Sequence, residues 1–273
     1  ANKEFKLAIA AYRDYLRIFP EPSWDEFVIH SYLAAISMTV KDYPAAVKEY
    51  EWLESADTTK YGRKPQGMEV TITPPEAAYN AVVAMDHYRE AGFKSVNEDH
   101  KKAYTLPQTK AYLAQVEKYL NKYGKDPKNK EAAQLAYNAA LVHYNGENYQ
   151  VSVKVLADLK KTYPDHKYIK EIRGALAMSY TQADMLDEAD IEYSELLKLY
   201  QPADTMYASI ERSIAAVKFQ KAEKLSKAGQ HLPAAEAYIA LVDRFPSLEF
   251  SDKALYEAAY SYEQANQYEK AAK

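Results

Sequence analysis

The strongest constraint on the fold is a pattern that occurs three times along the chain. A small residue is followed four positions later by an aromatic residue or leucine, and eight positions after that by proline, in residues 8–20, 152–164 and 234–246. Proline ends a helix because it lacks an N–H and clashes with the preceding turn. The pattern therefore predicts a repeated helix that stops at each proline.

A second recurrence fixes the register of the repeat. The small residues that open the pattern, or its first half, are separated by 38, 106, 37, 45 and 37 positions: Ala8, Ala46, Ser152, Ala189, Ala234 and Ala271. A fixed period of this size is typical of stacked helical hairpins. The long gap of 106 positions predicts a unit of irregular length.

The tetrapeptide Ala-Tyr-Asn-Ala occurs at residues 78–81 and again at 136–139. We interpret the two copies as the first helices of neighbouring units, with an insertion at residues 92–106 between helices predicted over 75–91 and 107–123. The insertion explains why 58 positions separate the copies. Chance is the alternative, because alanine and tyrosine are abundant in the chain.

Composition agrees with a helical protein. The chain has 273 residues but only 7 glycines, so it lacks the positive-φ positions that tight β-turns need. A net charge of −4 disfavours nucleic-acid partners.

The absence of cysteine excludes disulfides and thiolate catalysis. No apolar run reaches the roughly 20 residues that span a bilayer.

Each unit is predicted to be a pair of antiparallel helices, and its residues resemble the tetratricopeptide repeat. The resemblance rests on Leu255, Ala258, Ala259 and Tyr262 in the first helix, and on Ala234, Tyr238 and Pro246 in the second. Alanine stands where the family has glycine, and several units lack the family's first aromatic residue. The resemblance covers about four-fifths of the chain.

The resemblance implies an all-α, right-handed α-solenoid of stacked antiparallel hairpins over residues 1–273, with about five full units and partial units at both ends. Neither end carries a polar capping helix, so we expect the chain to be a fragment of a longer protein. Residues 55–75 form an irregular loop. Its alternating run at 68–73 is either a surface excursion or an edge strand that a partner could extend.

The sequence offers no catalytic constellation. The six histidines lack a metal-binding spacing. The stretch 96–100 offers three consecutive polar ligands, but neighbours in a loop rarely converge on one ion. Phosphate-binding and nucleophile motifs are also missing. We therefore expect no enzyme activity, no metal and no cofactor.

The family's pattern, carried across unit by unit, predicts a concave groove lined by the first helices that binds a peptide or helix of a protein partner. The alternative is that many of these side chains pack against neighbouring helices. The groove candidates are Tyr137, Leu141, Tyr144, Asn145, Met178, Thr181, Gln182, Phe219, Tyr256, Tyr260 and Glu263.

The resemblance extends to envelope tetratricopeptide proteins of Gram-negative bacteria, including the lipoprotein of the outer-membrane assembly machinery and the coordinator associated with the Tol system. It rests on the run "YxxLxxxFP" and the "SYEQANQYEKA" that follows it. It implies a scaffold within a larger assembly, periplasmic or outer-membrane-associated, with a cytoplasmic location as the alternative. Two other functions stay open: the accessory arm of an enzyme, and a self-assembling structural subunit.

Overall fold

The computed structural model describes residues 2–68, 72–126 and 128–272 of the chain. These residues are helical or lie in the turns between helices, and none of them is in a β-strand. The chain divides into two compact units, residues 1–147 and residues 148–273. The predicted all-α fold class is therefore confirmed, with consecutive helices packed in pairs as in a solenoid. A single solenoid over the whole chain stays a prediction.

Within its described residues, the first unit has seven helices, and the long helices pack mainly on their neighbours in sequence. The predicted helix at 107–123 is present with those bounds, whereas the one predicted at 75–91 begins one residue earlier and continues to Ser95. The helices are α1 (Asn2–Ile18), α2 (Trp24–Thr39), α3 (Tyr43–Ser55), α4 (Pro74–Ser95), α5 (His100–Thr105), α6 (Pro107–Tyr123) and α7 (Lys130–Asn145).

The second unit, as far as it is described, also has seven helices, each packed on its neighbours in sequence. Two of them end two residues before the prolines of the repeated pattern, Pro164 and Pro246, as predicted. They are α8 (Tyr149–Thr162), α9 (Ile169–Gln182), α10 (Leu186–Leu197), α11 (Thr205–Lys227), α12 (His231–Arg244), α13 (Ser251–Gln264) and α14 (Tyr268–Ala271).

Five turns that follow a helix share one backbone feature. Each has a single residue in the left-handed region, and that residue lies five positions before a small residue of the repeat. The residues are Lys41 (φ 64°), Glu147 (φ 61°), Asp184 (φ 65°), Gly229 (φ 73°) and Asn266 (φ 58°). A left-handed residue reverses the chain at the end of a helix. The structure thus repeats its turn in the register that the sequence spacing predicted.

Four of the six small residues of the repeat lie in the core. Ala46, Ser152, Ala189 and Ala234 on the second helices are fully buried. Twelve positions earlier, the first helices bury alanine as well: Ala34, Ala140, Ala177 and Ala222. Small side chains let helix backbones approach, and larger apolar residues fill the space beside the crossing. This explains why alanine recurs at the position where the family has glycine.

The irregular loop of the first unit is attached to the start of α2. Residues 56–68, here called the strap, contain a short 3₁₀ turn at Thr58–Lys60 and glycines with positive φ at Gly62 and Gly67. Trp24 Nε1 donates a hydrogen bond to the Gly62 carbonyl at 3.3 Å, and its ring meets Tyr61 edge-on at 5.5 Å. Residues 69–71, the middle of the possible edge strand, lie outside the described residues.

The predicted insertion is largely helical. Residues 92–95 extend α4, and residues 100–105 form α5, which packs on α4, α6 and α7. The ring of Tyr104 on α5 lies against Gly146 at the end of α7, where an added Cβ would come within 2.2 Å of a ring carbon. Tyr104 Oη is also 2.9 Å from His143 Nδ1. The insertion therefore fills a space that only glycine at position 146 leaves open.

Ion pairs tie the helices of the second unit together. Buried Glu192 on α10 contacts Lys160 of α8 at 2.5 Å and Arg173 of α9 at 2.7 Å, so its charge is compensated by two cations. Three further pairs join α10 and the turn before it to α11 as an antiparallel ladder. Its rungs are Asp184–Lys224 at 2.5 Å, Asp187–Lys221 at 2.6 Å and Asp190–Lys218 at 2.7 Å.

Candidate functional site

The sequence-derived candidates on α13 form one exposed stripe. Tyr256 is 71% exposed and Tyr260 is 47% exposed, and Glu263 is exposed beyond them. Residues spaced by four and three positions lie on one helix face. The three side chains therefore present two aromatic rings and a carboxylate on one exposed face of α13.

The candidates on α9 are only partly exposed. Met178 is 46% exposed and Gln182 is exposed, whereas Thr181 is half-buried and donates its hydroxyl to the Ala177 carbonyl at 2.9 Å. A threonine hydroxyl used in this way bonds its own helix. Met178 and Gln182 remain available on this helix, which is the first of its pair.

The candidates on α7 belong to the first unit and are more enclosed. Tyr137, Leu141 and Tyr144 are half-buried, and Asn145 at the end of the helix is exposed. Both tyrosines interact with other residues of the chain. Substitution of these tyrosines would therefore disturb packing as well as any partner contact.

Phe219 differs from the expectation. It is 8% exposed and packs in the core of the second unit with Tyr238, whose ring centroid is 5.2 Å away. Lys253 of α13 covers it, with Nζ 4.7 Å from the ring centroid. The 23-residue α11 is much longer than the other first helices of this unit, so family register does not transfer to it. Phe219 contributes packing instead of an exposed contact.

The structure adds two clefts in the first unit that sequence reasoning missed. The larger, about 1080 Å³, lies between the start of α4, the end of α6 and the turn into α7. We call it the tyrosine cleft, because Tyr79, Tyr119 and Tyr123 line it. The smaller, about 640 Å³, is lined by α2, α3 and the strap. We call it the neutral cleft, because none of the described residues that line it is charged.

The three tyrosines of the tyrosine cleft form a continuous aromatic wall. The rings of Tyr79 and Tyr119 meet edge-on at 6.2 Å, and those of Tyr119 and Tyr123 are tilted at 5.2 Å. Asn129 holds the wall in place by donating hydrogen bonds to Tyr119 Oη at 3.2 Å and to the Tyr123 carbonyl at 3.1 Å. Burial raises the pKa of Tyr119, so its hydroxyl stays neutral at physiological pH.

Charged side chains of both signs surround this wall. Lys122 bonds the buried Glu54 of α3 at 2.7 Å, and this hydrogen bond raises the pKa of the lysine. Lys125 and Lys128 lie on the turn between α6 and α7, and neither forms an ion pair with the described residues. These two lysines are therefore the cations of the cleft that a ligand can reach without breaking an existing pair.

The first copy of the Ala-Tyr-Asn-Ala motif supplies the centre of this region. Tyr79 lines the tyrosine cleft, and Asn80 lines both clefts. The sequence signal for these residues was the motif itself. The sequence prediction includes Tyr137 of the second copy but not Tyr79, because the first copy indicates only the period of the repeat.

Two of the histidines form polar contacts with other side chains. His30 lies 2.5 Å from Glu49 and stacks on Trp52, and His143 contacts Tyr104. In the part of the chain that the structure describes, no three histidine, aspartate or glutamate side chains are grouped to hold a metal ion. Nor does any described helix combine the length and apolarity that crossing a bilayer requires.

A family model matches part of the chain. Residues 134–166 match the family model described as a tetratricopeptide repeat. The matched segment begins near the second Ala-Tyr-Asn-Ala motif in α7 and runs through α8 to His166, just beyond the pair Tyr163–Pro164. No curated protein shows significant similarity to the chain. The match covers these residues alone, and the all-helical, paired fold agrees with a repeat of this kind.

Proposed function

We propose that the chain is a non-enzymatic scaffold that binds protein partners through exposed residues of its first helices. Tetratricopeptide repeats generally mediate protein–protein interactions, which supports a protein as the partner. The observation that carries the proposal is the stripe of Tyr256, Tyr260 and Glu263 on α13. Exposed tyrosines supply large contact area and a hydroxyl that fixes orientation, and tyrosine is enriched among residues that dominate binding energy.

The location that we propose is the bacterial envelope, in the periplasm or at the outer membrane, within a larger assembly. Only the sequence resemblance to envelope proteins supports this. Fractionation of cells that produce the full-length protein from its own gene tests the location. Recovery of the protein in the cytoplasmic fraction would contradict it.

The binding proposal is tested by removing the two α13 rings. The tagged chain is cross-linked in lysate of the source cell, and the captured proteins are quantified by mass spectrometry. We expect the Tyr256→Ala/Tyr260→Ala variant to recover at least about tenfold less of the main partner, since two such residues each contribute more than about 1 kcal/mol at an interface.

Tyr268→Ala is the matched control. Tyr268 is 65% exposed but lies on α14, a second helix, so its loss should leave capture unchanged. Circular dichroism should show equal helicity for all three proteins, because none of these rings is in the core. Equal capture by the wild type and the α13 variant, with folding intact, would contradict the proposal.

A further inference from the structure

A buried hydroxyl without a hydrogen-bond partner lies in the second unit. Tyr238 on α12 is 1% exposed, and its hydroxyl makes no hydrogen bond with the described residues. Its ring packs on Phe219 of α11, with 5.2 Å between the ring centroids. A buried hydroxyl costs free energy unless it is hydrogen-bonded. A ligand group that bonds this oxygen would supply the missing partner.

Two carboxylates lie at the level of this hydroxyl. α11 and α13 both pack on α12 through short turns, so both run antiparallel to it and parallel to each other. Lys253 of α13 lies over Phe219 of α11, with Nζ 4.7 Å from the ring centroid. One turn further along, α13 carries Glu257 and α11 carries Glu223. The side chain of Tyr238 tilts in this same direction, toward the start of its own helix.

The charge around the hydroxyl is negative. Burial, and then the carboxylates of Glu257 and Glu223, raise the pKa of Tyr238 to about 12. Glu257 is half-buried and forms no ion pair with the described residues, whereas Glu223 contacts Lys227 at 3.3 Å. The ammonium of Lys253 lies one turn away over an aromatic ring. A cationic side chain is therefore the ligand group that suits this arrangement.

We infer that Glu223, Glu257 and the Tyr238 hydroxyl bind the guanidinium of an arginine in the protein partner. A guanidinium presents five N–H donors in one plane, so it can bond both carboxylates and the phenol oxygen together. Tyr260 lies three positions after Glu257 on the same face of α13 and is 47% exposed, so its ring can stack on the cation. This inference rests on the proposed function and adds the chemistry of the partner to it.

The probe is the peptide acetyl-Gly-Leu-Arg-Leu-Gly-amide, and its control carries citrulline, a neutral residue of nearly the same shape, in place of arginine. Binding to the ¹⁵N-labelled chain is followed by NMR at low salt, because salt screens exposed charges. We expect amide shifts around residues 223, 238 and 257–260. The citrulline peptide should bind at least about tenfold more weakly, because it loses the charge-assisted hydrogen bonds.

Two variants separate the ligand contact from a role in folding. Tyr238→Phe should weaken binding about fivefold, the usual effect of one hydrogen bond. The same variant should keep or raise Tm, because the hydroxyl that it removes has no partner in the free chain. Glu257→Gln should weaken binding about tenfold, because it removes a charged acceptor.

Glu236→Gln is the matched control. It removes the same charge from an exposed position on α12, two residues from Tyr238 and so on the opposite side of that helix. Binding should not change.

Three results would overturn the inference: no binding of the arginine peptide, equal binding of the citrulline peptide, or wild-type binding by Tyr238→Phe. Partner capture that depends on Tyr256 and Tyr260 but not on Glu257 would also overturn it, while leaving the proposed function intact. Failure of the proposed function is recognised separately, by capture that does not depend on Tyr256 and Tyr260.

Discussion

At the residue scale, the turns with a left-handed residue differ in whether that residue is a glycine. Within the described chain, five such turns each have one residue with φ between 58° and 73°, and Gly229 is the one glycine among them. A side chain in this region is strained by its own carbonyl, whereas glycine is not. At Gly229 an added side chain would meet only this backbone strain, because a Cβ there would have no other atom within 4 Å.

Lys41→Gly should therefore stabilise the chain by about 0.5–1 kcal/mol, and Gly229→Ala should destabilise it by about 1 kcal/mol. Urea unfolding at 25 °C measures both changes. Lys48→Gly is the control: Lys48 is equally exposed but lies inside α3, so glycine there should cost about 1 kcal/mol. A destabilised Lys41→Gly variant would show that the turn does not strain this residue.

Two serines with the same sequence context have different surroundings. Ser179 and Ser261 both belong to a Ser-Tyr-x-Gln-Ala run and are both fully buried. The Oγ of Ser179 lies 3.0 Å from that of Ser152 on α8. Ser261 has no hydrogen-bond partner in the described structure, and the helix before it carries Ala234 at the position that corresponds to Ser152.

Ser179→Ala should therefore cost about 1 kcal/mol, because it removes the hydrogen bond between the two hydroxyls and the one that Ser179 donates to the Ala175 carbonyl. Ser261→Ala removes a hydroxyl that is already unsatisfied, so it should be neutral or stabilising by up to about 1 kcal/mol. Thermal unfolding of the two variants, which lose the same atom, makes the comparison. Equal destabilisation by both would mean that Ser261 has a partner after all.

At the element scale, the ladder between α10 and α11 sets the register of two helices, and its rungs are unequal. The side chains of Asp190 and Lys218 are 16% and 27% exposed, whereas Asp187 is 80% exposed. Exposed ion pairs are screened by water and salt and contribute little. The Asp190–Lys218 rung should therefore account for most of the ladder's stabilisation.

Asp190→Asn should destabilise the chain by about 1–2 kcal/mol, and Asp187→Asn by less than about 0.5 kcal/mol. A double-mutant cycle that combines Asp190→Asn with Lys218→Met should give a coupling energy of about 1 kcal/mol. Urea unfolding at low and high salt supplies the values. Equal effects of the two aspartate changes would contradict a dominant inner rung.

The helices also show how much of the structure can be predicted from the sequence. The bounds of α6 and the faces of α13 were predictable, because proline position and helical spacing are local signals. The six-residue α5 was not, since so short a helix depends on tertiary contacts such as Tyr104 against Gly146. The tyrosine cleft was not predicted, because its residues come from α4, α6 and the turn into α7. Helical periodicity within one segment gives no information on which distant segments meet.

At the scale of the whole molecule, the second unit is held together mainly by packing between helices that are neighbours in sequence. In the second unit, α8 packs on α9, α9 on α10, and so on to α14. In such arrays, stability is approximately a sum of local terms, and a defect is felt mainly by the adjoining helices. The position of a core substitution should therefore decide which helices loosen.

Leu156 on α8 and Leu241 on α12 are both fully buried, and replacing either by alanine should cost about 2–5 kcal/mol. Native-state hydrogen exchange should then separate the two variants. Leu156→Ala should accelerate exchange most in α8 and α9, and Leu241→Ala most in α11 to α13. Uniform acceleration across all helices of the unit by both variants would contradict local stability.

The contact between Tyr104 and Gly146 has a consequence for any redesign of this chain. Shortening the insertion to restore an even period would delete the ring and leave a groove beside the bare backbone of α7. Adding a side chain at position 146 would instead expel the ring and detach α5. Tyr104 and Gly146 can therefore be changed only together. A homologue that lacks the insertion should carry a side chain where this chain has Gly146.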